Sequence, residues 1–221
     1  MKNSLVFLFI GAPGSGKSTQ GDLISKKYNI PHISTGNILR ESIKEKDELG
    51  KKVEQYVNSG VLVPDEIITS VVEKRIKKQD CEKGFVIDGF PRNMDQVKEF
   101  NKMLDEYSFQ LKQVLNIQLE NKILIKRLSG RRICSQCKEQ YNLYFNPSKQ
   151  NKCEKCEADL IQRKDDNEEI VKQRLIVYEK ETNPLIEYYE KEKILVNIDG
   201  NRDKEEIFEE ILENKYDFIE K

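Results

Sequence analysis

An eight-residue segment near the N-terminus has the residue types and spacing of a phosphate-binding loop. Residues 11–18 read Gly-Ala-Pro-Gly-Ser-Gly-Lys-Ser, which satisfies the pattern G-x-x-x-x-G-K-[ST] in full. The glycines let successive backbone N–H groups turn toward a phosphate, and Lys17 can reach its β and γ oxygens. Ser18 or Thr19 can place a hydroxyl near Mg²⁺. A glycine-rich turn without a ligand is the alternative, and the position of the motif between an apolar segment and a helical pattern disfavours it.

An acid and an arginine follow a second apolar segment, Phe85-Val86-Ile87. Asp88 comes directly after that segment, where a carboxylate can hold Mg²⁺ or its water shell beside the phosphate loop. Arg92 follows in the same turn, and its planar guanidinium suits bidentate binding of phosphate. These residues extend the predicted phosphate site to a second strand.

Four of the five cysteines form two Cys-x-x-Cys pairs with the spacing of a tetrahedral zinc site: Cys134, Cys137, Cys153 and Cys156. Four thiolates fill the usual coordination shell of zinc, so the metal should hold structure and do no chemistry. Iron in the same cage and a redox pair remain alternatives. Cys81 lies apart and is predicted to be a small core residue or a free thiol.

Short apolar segments alternate with helical patterns and predict a parallel sheet covered by helices on both faces. The predicted strands are residues 5–10, 31–33, 85–87, 114–119 and 194–198. In such a sheet the active residues lie beyond the carboxyl ends of the strands. Residues 34–76 are helical without an obvious strand, and residues 130–166 carry the paired cysteines and show no helical period. Both stretches are predicted to be additions to the α/β core.

Composition excludes several classes of protein. The 221 residues include 38 Lys and Arg and 39 Asp and Glu, so the net charge of -1 gives no field that favours nucleic acid. Residues 5–10 are too short an apolar segment for a membrane helix, which needs about 20 residues, or for a signal peptide. The paired cysteines favour metal binding over disulfides, and we therefore expect the reducing cytoplasm.

Several ordered motifs together resemble the adenylate kinases, within the nucleoside monophosphate kinases, and specifically their long form with a zinc-bearing lid. The resemblance runs from Leu5 to Ile211. Besides the phosphate loop with Thr19 and Gln20, it rests on these segments: 32–40, 60–65, Asp88-Gly89-Phe90-Pro91-Arg92 with Gln96, Arg127, 130–132, 163–166 and Arg174.

The resemblance implies a P-loop fold of three layers, α/β/α, with a five-stranded parallel sheet. Residues 1–33, 64–129 and 167–221 would form the core. Residues 34–63 would be a helical insertion that binds the nucleoside monophosphate, and residues 130–166 a small zinc-bearing lid that closes over ATP.

The resemblance also implies a role for each matched residue. The expected catalytic residues are Lys17, Asp88, Arg92, Arg127, Arg163 and Arg174. Those expected to bind ATP are Gly14, Ser15, Gly16, Lys17, Ser18, Thr19, Arg127, Arg131, Tyr141 and Arg202. Those expected to bind AMP are Thr35, Arg40, Val61, Leu62, Val63, Gly89, Arg92, Gln96, Arg163 and Arg174, with Gln96 facing the adenine. The use of arginine supports this independently, because only nine of the 38 cationic residues are arginine and six of them fall at these phosphate positions.

The implied activity is reversible Mg²⁺-dependent transfer, ATP + AMP to two ADP, by a monomer. His32 is the only histidine, so the sequence offers no cluster of histidines. This fits the implied chemistry, because the AMP phosphate is already an anion and requires no histidine base. Another monophosphate kinase, with GTP as donor or UMP or CMP as acceptor, is the nearest alternative. A zinc-ribbon module that binds nucleic acid or protein is the alternative from another class, and the near-zero net charge opposes it.

Two residues depart from the family pattern. Ser18 stands where these kinases usually have glycine, and Asn37 where they usually have aspartate. Ser18 adds a hydroxyl that can contact Mg²⁺ or the β-phosphate. Because the usual aspartate helps to hold the water shell of the metal, Asn37 predicts weaker Mg²⁺ affinity with activity retained.

Overall fold

The computed structural model of the protein describes residues 4–213. Five strands form a parallel sheet: β1 (Leu5–Ile10), β2 (His32–Ser34), β3 (Gly84–Asp88), β4 (Gln110–Gln118) and β8 (Leu195–Asp199). Their order in the sheet is β2-β3-β1-β4-β8. Since all five run in one direction, their carboxyl ends meet at one edge, where a ligand site is expected. The predicted five-stranded α/β fold is confirmed.

The central strand β1 shows why this sheet is covered on both faces. Successive side chains of a strand point to opposite faces. Val6 and Leu8 belong to one apolar core and Phe7 and Phe9 to the other, and all four are buried. A strand that is apolar on both faces requires a helical layer on each, which gives the three-layer architecture.

Nine α-helices lie within the described residues. Those of the layered core are α1 (Lys17–Tyr28), α4 (Asp65–Ile76), α5 (Met94–Glu106), α6 (Asn121–Ser129), α7 (Glu168–Val177), α8 (Pro184–Lys191) and α9 (Lys204–Glu213). Ile24 of α1 and Ile207 of α9 pack with Phe7 on one face of the sheet. Phe100 of α5 and Leu185 of α8 pack into the core on the other face.

Two groups of elements stand outside the alternation of strands and helices. The first is the helical insertion, formed by α2 (Thr35–Glu45) and α3 (Glu48–Ser59). The second is the cysteine-rich unit, a three-stranded antiparallel sheet of β5 (Arg131–Cys134), β6 (Gln140–Asn142) and β7 (Leu160–Ile161). The division of the chain into a core, a monophosphate-binding insertion and a lid remains a prediction. Parts of the predicted core, residues 1–3 and 214–221, lie outside the described residues.

Apart from shifts of one residue at strand ends, the structure differs from the strand predictions at two places. β4 begins at Gln110 rather than residue 114, because Leu5 and Val6 of β1 continue the parallel pairing onto Gln110 and Leu111. The three strands of the cysteine-rich unit were not predicted. They are two to four residues long, and too short to show the alternation of apolar and polar residues by which strands are recognised.

Candidate functional site

The phosphate loop lies between the end of β1 and the start of α1, as its motif predicts. Gly14 and Gly16 adopt positive φ angles of 85° and 107°, and Gly11 one of 143°. A Cβ atom on Gly11 would lie 2.5 Å from the carbonyl oxygen of Ile117 in β4, so only glycine fits there. The loop therefore wraps the N-terminus of α1, whose free N–H groups form an anion site.

Lys17 folds back across this loop. Its Nζ donates hydrogen bonds to the carbonyl oxygens of Gly11 at 2.7 Å and Ala12 at 2.8 Å. Burial lowers the pKa of Lys17 to about 7; Asp88 opposes this shift, and the guanidinium groups of Arg92 and Arg174 add to it. An anion between these cations would stabilise the charged form of the lysine.

Asp88, at the carboxyl end of β3, is held by three side chains. Its Oδ2 accepts a hydrogen bond from Ser18 Oγ at 2.8 Å and lies 2.8 Å from His32 Nε2, while its Oδ1 accepts from Ser34 Oγ at 3.2 Å. Burial would raise the pKa of this carboxyl, but His32, Lys17 and Ser18 hold it below its ordinary value. Asp88 is therefore a fixed carboxylate beside the phosphate loop.

His32 joins two carboxylates, and sequence reasoning gave it no such role. Its Nδ1 lies 2.7 Å from Asp22 Oδ1 on α1, opposite the contact to Asp88. Burial alone would lower the pKa of His32, but the hydrogen bonds to Asp22 and Asp88 outweigh it and raise the pKa to about 9. At neutral pH the ring is thus an imidazolium that donates to both acids.

A cavity beside the helical insertion brings together the residues expected to bind AMP, except for Arg163. Arg92 lines this cavity, and its Nε donates to the Gly89 carbonyl at 2.8 Å. Gln96 accepts from the Arg92 N–H at 2.7 Å and donates to Asp65 Oδ1 at 2.6 Å. Since an amide has two donors and two acceptor positions, one of each remains for a base.

A second cavity adjoins the first and lies over the phosphate loop. Of the expected ATP-binding and catalytic residues, it is lined by Gly14, Lys17, Ser18, Asp88, Arg92, Arg131, Arg163 and Arg174. Arg40, Arg92 and Arg174 line both cavities. The two cavities therefore meet at three guanidinium groups that line both of them.

Two neighbouring acids, Asp165 and Asp166, hold arginines from three parts of the chain. Arg131 makes a bidentate contact to Asp166, with its Nη2 2.5 Å from Oδ1 and its Nε 2.8 Å from Oδ2. Arg40 and Arg174 approach Asp165 Oδ2 to 3.4 Å and 3.2 Å. Both acids are buried, and the nearby cations hold the pKa of Asp165 low against the effect of burial. These acids belong to the motif at residues 163–166, but the sequence alone predicted no contact for them.

The remaining predicted ATP residues lie outside these cavities. Ser15, Gly16 and Thr19 belong to the loop and the first turn of α1, and the Thr19 side chain is exposed. Arg127 donates to the Gly200 carbonyl at 3.1 Å and lies 5.6 Å from the centre of the Phe145 ring. Arg202 pairs with Glu210 at the surface. Their contacts to a nucleotide remain predictions.

Tyr141 lies in the cysteine-rich unit rather than in either cavity. Its hydroxyl accepts a hydrogen bond from the Glu154 N–H at 2.8 Å and lies 3.5 Å from Cys153 Sγ. The side chain is buried. The hydroxyl therefore contacts the cysteine cluster, and a contact of Tyr141 with ATP would have to come from its other atoms.

The four paired cysteines converge to form a metal-sized cluster. The Sγ atoms of Cys134, Cys137, Cys153 and Cys156 all lie within 4.8 Å of one another, and two pairs are 3.4 Å apart. A tetrahedral zinc ion with Zn–S bonds of about 2.3 Å requires sulfur atoms about 3.8 Å apart. The geometry and the donor set both fit zinc.

No helix among residues 4–213 combines the length and the apolar character that crossing a membrane requires.

Comparison with known proteins identifies the family to which the chain belongs. The family model described as adenylate kinase matches residues 9–194. Relatives named adenylate kinase are 50% identical over 205 residues in Caldanaerobacter subterraneus subsp. tengcongensis, covering 92% of this chain and 93% of the relative, and 47% identical in Acetivibrio thermocellus, covering 93% and 95%. One from Archaeoglobus fulgidus is 45% identical, covering 92% and 94%. With the phosphate loop, both cavities and the cysteine cluster inside the matched segment, the chain belongs to the adenylate kinase family.

Proposed function

We propose that the protein transfers the γ-phosphoryl group of MgATP to AMP in the second and first cavities described above, and catalyses the reverse reaction. The observation that carries this assignment is the junction of the two cavities at Arg92 and Arg174. A donor phosphate on the phosphate loop and an acceptor phosphate beside Arg92 would then face each other across these cations. Positioning of this kind supplies most of the catalysis in phosphoryl transfer.

On the donor side, Lys17 and the loop N–H groups would bind the β- and γ-phosphates. Arg131 and Arg163 reach the same cavity from the two ends of the cysteine-rich unit. Arg127, with the ring of Phe145 beside it, would border the rest of the nucleotide. These cations would neutralise the charge that develops on the transferred group.

Magnesium would bind next to Ser18 and Asp88. The hydroxyl of Ser18 and the carboxylate of Asp88 are 2.8 Å apart, and hard oxygen donors of this kind are those that Mg²⁺ accepts, directly or through water. When bound there, the ion would supply positive charge that offsets the charge of the phosphates. His32 and Ser34 keep the Asp88 carboxylate in place for this role.

On the acceptor side, Arg40, Arg92 and Arg174 would hold the AMP phosphate, and Thr35 and Gln96 would face the nucleoside. The helical insertion lies against α7 here: a Cβ atom on Gly60 would lie 2.8 Å from Arg174 Cγ. Closure of the insertion and the lid over both nucleotides would exclude water as a competing acceptor.

The cysteine-rich unit would act as the lid, with zinc as its structural centre. Its own apolar core consists of little more than Tyr141, Ala158 and Leu160 around two cysteines, so metal binding would supply much of its folding free energy. Thiols that bind zinc must stay reduced, which favours the cytoplasm. By the resemblance to its family, the protein would act as a monomer and without nucleic acid.

The first prediction concerns the acceptor. Initial rates with MgATP should be at least on the order of 100-fold higher for AMP than for CMP, UMP or GMP at equal concentration, because a site that hydrogen-bonds one base leaves polar groups unpaired with another. Rates with MgGTP and AMP measure the donor preference in the same assay. Equal rates with CMP or UMP would assign the protein to another monophosphate kinase activity.

The second prediction concerns Asn37. Its side-chain amide is neutral and supplies no negative charge to a metal, and its Oδ1 accepts a hydrogen bond from Arg40 Nη2 at 2.8 Å. Asn37→Asp should lower the Mg²⁺ concentration for half-maximal rate about fivefold, since one added charge contributes about 1 kcal/mol at such a site. Asn37→Ala, which removes the acceptor without adding charge, is the control. An unchanged Mg²⁺ dependence in Asn37→Asp would show that position 37 does not tune the metal.

The third prediction concerns the cysteine cluster. The purified protein should contain one zinc ion per chain by atomic absorption, and Cys153→Ser should lose it and unfold at a lower temperature, because three thiolates bind zinc less tightly than four. Cys81→Ala is the matched control, since Cys81 is buried in the main core, and it should keep its zinc. Iron in place of zinc, or full zinc content in Cys153→Ser, would contradict the assignment.

A further inference from the structure

The segment that joins α7 to α8 is a π-helical turn, Tyr178–Thr182. The N–H of Asn183 closes it by donating to the carbonyl of Tyr178 at 2.8 Å. Such turns make up well under 1% of residues in proteins and occur frequently at functional sites. The mechanism described above uses no residue of this turn, although Tyr178 and Thr182 line the cavity over the phosphate loop.

Thr182 makes the contact that links this turn to the acceptor side. It is buried, and its Oγ1 donates a hydrogen bond of 2.8 Å to the carbonyl oxygen of Arg92. The N–H of Arg92 donates to Gln96 at 2.7 Å and its Nε to the Gly89 carbonyl at 2.8 Å. Gly89 and Gln96 belong to the same stretch of chain as Arg92, so Thr182 supplies the backbone contact from a distant element.

The same helical segment carries Arg174. Eight residues separate it from Thr182, which corresponds to about 12 Å along a helix. Arg174 lines both cavities and contacts Asp165. A single helical segment therefore presents one phosphate-site cation itself and, through Thr182, fixes the main chain of another.

We propose that Thr182 is a positioning residue for the acceptor phosphate: it ties the Arg92 peptide to the segment that carries Arg174, and so fixes the separation of the two guanidinium groups. This inference rests on the assignment of Arg92 to the AMP phosphate. Its consequence is that loss of the Thr182 hydroxyl weakens the binding of AMP through Arg92 and leaves MgATP binding almost unchanged, because the loop and Lys17 hold the donor phosphates independently.

The test compares Thr182→Val, which keeps the shape and removes the hydroxyl, with Thr182→Ser, which keeps the hydroxyl. Thr182→Val should raise the Kd and KM for AMP about fivefold, the effect of one net hydrogen bond, with the Kd for MgATP within about twofold. Thr182→Ser should restore AMP binding. Thr69→Val is the matched control, because the Thr69 hydroxyl is buried on α4 with no hydrogen-bond partner among residues 4–213, and it should leave both constants unchanged.

A double-mutant cycle with Arg92→Ala tests the role of Thr182 separately from the assignment of Arg92 to the AMP phosphate. Calorimetric titration of AMP should show weaker binding by Arg92→Ala, and Thr182→Val should add nothing in that background. Suppose that Arg92→Ala weakens AMP binding. The positioning role of Thr182 is then wrong, and the assignment of Arg92 stands, if Thr182→Val changes the Kd for AMP equally in both backgrounds, weakens MgATP binding as much as AMP binding, or is not rescued by Thr182→Ser. If Arg92→Ala leaves AMP binding unchanged, both are wrong.

Discussion

The arrangement of the site depends on the many positively charged side chains that are brought together in one cleft. Lys17, Arg40, Arg92, Arg131, Arg163 and Arg174 all line the two adjoining cavities. Burial lowers the pKa of Lys17, Arg92 and Arg163, and neighbouring guanidinium groups lower each of them further. Removal of so many cations from water is costly unless anions compensate. Within the protein, that compensation comes from Asp88, Asp165 and Asp166.

The placement of these acids explains how distant parts of the chain come to form one site. Asp165 and Asp166 lie between the cysteine-rich unit and α7, and they contact arginines from the helical insertion, from β5 and from α7 itself. Asp88 plays the corresponding part at the phosphate loop, where His32 and Ser18 orient it. Phosphate groups are negatively charged, as these carboxylates are. Under the proposed function, two bound nucleotides would therefore take over the role of holding the cations together, and this would align the reacting phosphates.

The fold and the local motifs of the site could be predicted from sequence patterns, whereas the contacts between distant residues could not. The phosphate loop, the β1 and β3 segments and the cysteine pairs are recognised from residues close together in the chain, because glycine conformation, apolar runs and ligand spacing are local properties. The contacts of His32 with Asp88, of Thr182 with Arg92 and of Arg40 with Asp165 join residues 56, 90 and 125 positions apart. No short-range pattern reports such contacts. The contact of Tyr141 with the nucleotide remains a prediction of the family resemblance. The contacts of its hydroxyl with Cys153 and the Glu154 N–H are seen only in the three-dimensional arrangement.

Proton uptake on MgATP binding tests the crowding of charge most directly, by calorimetry at pH 8 in two buffers with different protonation enthalpies. Lys17, with a pKa of about 7 in the free protein, is mostly neutral at that pH and becomes charged once phosphate oxygens surround it. We predict uptake of about one proton per site for the wild-type protein, and none for Lys17→Arg, whose guanidinium is charged throughout. A binding heat that is the same in both buffers for the wild-type protein would contradict the idea that burial and neighbouring cations keep Lys17 neutral until phosphate binds.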